Sequence, residues 1–166
     1  MKPSFGFVIV LASLGSAIPL PPESALAQGV NELVGTWTVV SNENVRPDGT
    51  RVQSFGPNPQ GILTFDAAGR YALQICSADR PKLASNNRLQ GTPEEYKAAV
   101  HGCNPHWGRY SVADGSIIFK IGHAMYPNWE GLEQKRPFSI SGDEMTYKVS
   151  AASSGGTSEL VWKRAK

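Results

Sequence analysis

The residues able to do chemistry are few. The chain holds three histidines and two cysteines. Two of the histidines bracket a cysteine in His101-Gly102-Cys103-Asn104-Pro105-His106. Imidazole nitrogen and thiolate sulfur are the donors a transition metal takes. That run offers three ligands at most, and Pro105 restricts how they converge, so no metal is expected. There is no Ser nucleophile elbow, no Gly-rich phosphate loop and no HExxH. No cofactor is expected either. The third histidine, His123, follows Ile117, Phe119 and Ile121 at two-residue spacing. An imidazole on an apolar inward face is the best single candidate for a general base, the alternative being a hydrogen-bonded lumen histidine. If the chain is an enzyme, His123, Arg136, Tyr110 and Tyr147 are its acid/base and orienting groups. If it is not, the same side chains line a pocket.

Cys76 and Cys103 can also be read together. Cys76 ends a predicted strand and Cys103 follows a predicted helix. A bridge would pin the intervening segment to the sheet, closing a loop of about 27 residues and stabilising by roughly 3 kcal/mol. The alternative is two separate buried thiols.

Short strands must position these groups. Turn signals recur at close spacing: Arg46-Pro47-Asp48-Gly49, Asp66-Ala67-Ala68-Gly69, Asp114-Gly115, Ser141-Gly142-Asp143 and Ser153-Ser154-Gly155-Gly156. Asp-Gly between two alternating runs is the strongest hairpin signal among them. The pattern predicts about eight strands joined mostly by hairpins, which means an antiparallel sandwich or barrel. One segment interrupts it. Asp79 to Gly91 is polar and turn-rich, and Thr92-Pro93-Glu94-Glu95 then opens a helix with an N-cap, a Pro at the first position and a capping box. That helix is expected to end at Gly102. It is either a lid at a barrel mouth or a helix packed over one barrel end. Tyr126-Pro127-Asn128-Trp129-Glu130-Gly131 is a second notable connection. Its two aromatics either line a pocket mouth or tuck onto the barrel wall.

The first and last strands carry a further signal. Gly35-Thr36-Trp37 opens the fold, and Arg164 lies near the end of Leu160-Val161-Trp162-Lys163-Arg164. This combination resembles the lipocalin (calycin) signature. With Gly61-Ile62-Leu63-Thr64-Phe65-Asp66 and Gly108-Arg109-Tyr110-Ser111-Val112 between, residues 33–164 resemble the bacterial and fungal lipocalin-like domain family. The resemblance implies an all-β, antiparallel up-and-down β-barrel with one short helix inserted. It implies that Trp37 plugs one barrel end beside Gly35 and that Arg164 packs across its ring, a cation–π contact contributing on the order of 0.5–2 kcal/mol. It also implies a small hydrophobic or amphipathic ligand in the lumen. Related barrels include cyclases and isomerases, which keeps catalysis as an alternative. A filled barrel acting as a structural or interaction module is the third reading.

Alternation assigns the lumen. Tyr110, Phe119, Ile121, His123, Phe138 and Tyr147 should face inward with Arg136, and Trp129 should sit at the mouth. An apolar interior with a few polar anchors suits a small hydrophobic molecule.

The N-terminus reads as a targeting segment. Lys2 precedes an apolar run from Phe5 to Ile18, prolines follow, and Ala25-Leu26-Ala27 is an A-x-A cleavage site. The run is shorter than the roughly 20 residues that span a bilayer. The expectation is a signal peptide over 1–27, a mature domain over 28–166, and export to the periplasm or beyond. The net charge of +2 is too small to argue for nucleic acid or an anionic surface.

Overall fold

The computed structural model describes residues 29–166. The expected signal peptide lies outside the described residues. Nine strands follow one another: β1 (Gly35–Val45), β2 (Arg51–Gln53), β3 (Gln60–Phe65), β4 (Arg70–Cys76), β5 (His106–Ala113), β6 (Ser116–Ala124), β7 (Glu133–Ser141), β8 (Glu144–Val149) and β9 (Thr157–Arg164). All pairings are antiparallel, and β1 pairs with β9 as well as with β3. Eight strands therefore close into a barrel, leaving no free edge among them. The short β2 is an addition that pairs only with the far end of β1, from Glu43 to Val45. Among the described residues no helix is long and apolar enough to cross a membrane.

The two barrel ends differ because their connections differ. At one end the turns are tight. In the Asp114-Gly115 turn both residues adopt positive φ, 48° and 64°, the type I′ geometry whose twist matches the strands it joins. This end is filled. Trp37, Trp162, Leu33 and Met145 are wholly buried there. The Trp37 indole donates to the Leu33 carbonyl at 2.9 Å. The guanidinium of Arg164 lies 4.2 Å from the Trp37 ring centroid and donates to the carbonyls of Val34 and Glu32 at 3.0 and 2.7 Å. One side chain thus covers the ring and ties down the turn of helix over residues 29–33.

At the other end all the long connections gather: 46–59 with β2, 77–105, 125–132 and 150–156. The helix Pro93–His101 belongs to this end. Thr92 accepts from the Glu95 amide at 3.2 Å while the Glu95 carboxylate accepts from the Thr92 amide at 2.8 Å, completing the capping box. Gly102 caps the C-terminus. No residue of this helix is buried, so it is held from its ends rather than by a packed face. Its C-terminal anchor is covalent: Cys76 and Cys103 are bridged, and flanking backbone bonds join Ser77 to Gly102 and Asn104 to Ile75, each 2.8 Å.

Two β-bulges set which residues enter the lumen. On β1 the register with β9 passes from Val39↔Trp162 to Ser41↔Val161. Val40 is the extra residue and is exposed. The inward parity shifts from Trp37 and Val39 to Asn42 and Asn44, both buried. On β6 the register with β5 passes from Gly108↔Ile121 to Trp107↔His123. Gly122 is the extra residue. A bulge puts two residues opposite one, so every side chain beyond it changes face.

Candidate functional site

Beyond the filled end, the barrel interior opens into a cavity of about 640 Å3. All four long connections contribute to its rim, with Val52, Phe55, Val100, Tyr126 and Ser154 among the lining residues. Its floor is made by strand residues from around the barrel, including Leu73, Ile75 and Leu160. A second hollow, about 420 Å3, lies on the outer wall against Thr38, Ile62 and Gln74, residues whose alternation points them away from the lumen.

The rim aromatics are held from behind. The 125–132 connection bonds back to its neighbours: the Met125 amide donates to the Pro105 carbonyl, the Gly131 amide to the Ile121 carbonyl, and the Ile121 amide to the Leu132 carbonyl. Trp129 is half-buried against the core. Its ring meets that of His106 edge-on at 5.8 Å and that of Tyr126 at 5.6 Å.

His106 and Arg136 are two of the buried polar groups that line the cavity. His106 is 2% exposed. Its Nδ1 and the Tyr71 hydroxyl share a hydrogen bond of 2.8 Å. Burial, helped by the positive charge of Arg136, pushes the imidazole pKa down to about 3. His106 is therefore neutral across the physiological range. Burial raises the Tyr71 hydroxyl pKa, so it keeps its proton.

The second group is Arg136, 4% exposed. Its guanidinium lies 4.4 Å from the Phe119 ring centroid and 5.1 Å from that of Tyr147. Nη1 donates to the Tyr147 hydroxyl at 3.1 Å and Nη2 to the Gln134 side-chain oxygen at 2.7 Å. Nε has no partner. Among the described residues no carboxylate lies within ion-pair distance of it. Across the lumen, the Asn44 amide donates to Ser158 at 3.0 Å and to the Gly155 carbonyl at 2.9 Å. The buried Asn42 side-chain oxygen has no partner.

The sequence-derived site divides. Arg136, Tyr147 and Trp129 line the cavity. Phe119 lies beneath Arg136, and Ile121 is buried in the core. Tyr110 is part of the filled end, where its ring meets Phe65 at 4.7 Å and its hydroxyl donates to the Asp66 carbonyl at 2.9 Å. Phe138 is half-buried against the core. His123 is a correction. The Gly122 bulge turns it outward, its side chain is 64% exposed, and it sits 3.4 Å from the Glu130 carboxylate and 4.8 Å from the exposed Trp107 ring. The four residues proposed as an acid/base set thus do not converge; only Arg136 and Tyr147 meet. The His101, Cys103 and His106 run does not converge as a ligand set either. Cys103 has its sulfur in the disulfide, His101 is exposed and His106 faces Tyr71. Lumen-facing His106, Asn42 and Asn44 were not foreseen. The signal for His123 was Gly122 in mid-strand, a common mark of a bulge; that for His106 was its alternation with Gly108 and Tyr110 along β5.

The barrel is closed and eight-stranded, with Trp37 and Arg164 stacked at its filled end. A model of the lipocalin-like domain family matches residues 34–165. The chain belongs to the lipocalin-like domain family. Solved structures similar to this lipocalin-like chain include a lipocalin-like protein from Bacteroides uniformis ATCC 8492, at 14% identity and a TM-score of 0.44. That alignment covers 81% of this chain and 99% of the other. A point mutant of the fluorescent protein UnaG is similar at 12% identity and a TM-score of 0.40, over 82% of this chain and 98% of the other. No curated protein matches this lipocalin-like sequence.

Proposed function

We propose that this lipocalin-like barrel is exported and binds a small hydrophobic or amphipathic molecule non-covalently in its lumen. The cavity of about 640 Å3, open among the long connections and floored by apolar strand residues, is the observation that carries the reading. Its volume falls in the range of roughly 300–1,000 Å3 typical of small-molecule sites. Filling at one end only supports the same reading. Trp37, Trp162 and Met145 give the barrel a stable base without occupying the mouth half. Trp129 and Tyr126 offer rigid rim contacts with polar edges.

Two observations support export. The first 27 residues read as a signal peptide, and both cysteines are bridged, a state that persists in oxidising compartments. Native mass spectrometry of protein purified from the exported fraction tests both halves. The expected mass is that of the chain from Gln28, with an additional small-molecule mass that dissociates on collisional activation. A chain still carrying Met1 would refute export. A bare mass, together with no uptake of a neutral apolar probe, would refute lumen binding.

A further inference from the structure

Arg136 is a cation taken almost wholly out of water with nothing of opposite charge beside it. It faces Phe119 and Tyr147, whose ring faces attract a cation but do not neutralise it. Its two hydrogen-bond partners, Tyr147 and Gln134, are neutral. Nε is buried and unpartnered. Removing an unpaired charge from water is costly unless a counter-charge arrives. The rest of the cavity does not supply one. Arg46 and Arg136 both line it, and no aspartate or glutamate does among the described residues. The field of Arg136 is felt around it, helping to lower the His106 pKa.

We infer that the ligand is an amphipath with a single oxyanion head, and that Arg136 receives that head inside the lumen. This rests on the lumen-binding reading and names its ligand class. A guanidinium presents a planar fork that matches a carboxylate or a phosphate monoester. Only two of the five N–H groups of Arg136 are given to Tyr147 and Gln134, which leaves the second N–H of each Nη for that head. The apolar part of the ligand then lies along Leu73, Ile75 and Leu160 toward the mouth.

The test uses the mature chain loaded with the neutral fluorescent probe N-phenyl-1-naphthylamine at pH 7.5. Dodecanoate, dodecyl phosphate and dodecan-1-ol compete for it. At least one of the two anions should displace the probe roughly 10- to 100-fold more tightly than the alcohol, the effect of a charge-assisted hydrogen bond. The tighter anion identifies the head. Arg136→Met should bring the anions to within about threefold of the alcohol. The comparison in the unmodified protein stands even if that variant does not fold. Displacement by the alcohol as tight as by both anions overturns the inference and leaves lumen binding intact. Failure of the probe itself to bind overturns both.

Discussion

Replacing His106 by Asn should change how stability depends on pH. In the folded chain the imidazole is held neutral down to about pH 3 by burial and by Arg136. In the unfolded chain it titrates near 6.5. Between those values the unfolded state binds the extra proton, so stability rises with pH through this window and is lost as pH falls. Integrating the linkage between a folded value of about 3 and an unfolded value of about 6.5 gives a loss of about 2 kcal/mol by pH 5 and about 3 kcal/mol by pH 4. Asn retains a polar partner for the Tyr71 hydroxyl but does not titrate. Urea unfolding of both proteins at pH 7.5, 6, 5 and 4 gives the comparison. Carboxylates titrate in both, so the difference between the curves isolates His106. The unmodified chain should be the more stable at pH 7.5, and its advantage should shrink by those amounts. Parallel curves would mean that the folded imidazole titrates normally, and the account of a dry, cationic lumen at His106 would be refuted.

Three further outcomes follow from the packing. Trp37→Ala should cost about 3–5 kcal/mol through the cavity it leaves, and Arg164→Ala about 1–3 kcal/mol through the lost ring contact and carbonyl bonds; chemical denaturation that ranks them the other way would overturn this view of the filled end. Replacing Cys76 and Cys103 together by Ser should cost about 3 kcal/mol; reductant should lower the stability of the unmodified chain and leave the double variant unchanged. Trp129→Ala should weaken probe binding with much less loss of melting temperature than Trp37→Ala. Equal thermal losses with unchanged probe binding would make Trp129 a core residue and not a rim contact.

What the sequence disclosed is what short-range chemistry encodes. Asp114-Gly115 specified its own turn because Gly and Asp tolerate positive φ. Thr92 and Glu95 specified a helix start because the two side chains satisfy each other's backbone amides. Gly35, Trp37 and Arg164 carried the family pattern and with it the closed barrel. The lumen was less legible, because which face a residue takes depends on strand partners far away in the chain. A bulge is a property of a pair. Nothing in Val39-Val40-Ser41 alone shows that β9 skips Val40, and strict alternation from Trp37 would point Asn42 and Asn44 outward. The bulge at Gly122 reversed the assignment of His123, and the histidine that does enter the lumen, His106, was read only as part of a metal-ligand run. Arg136 was placed inward correctly by alternation. That it lacks a counter-charge depends on all eight strands and on the connections over them.

The central claim is that the mouth half of the barrel is a binding site. The most direct measurement is titration of the mature chain with N-phenyl-1-naphthylamine beside a Val149→Trp variant. Val149 lies on β8 among the residues lining the cavity and is only half-buried, so an indole there should occupy the lumen with little strain on the filled end. The account predicts saturable, single-site fluorescence enhancement in the unmodified chain and its loss in the variant, with circular dichroism unchanged. No saturable enhancement, or enhancement that the variant leaves intact, would contradict it.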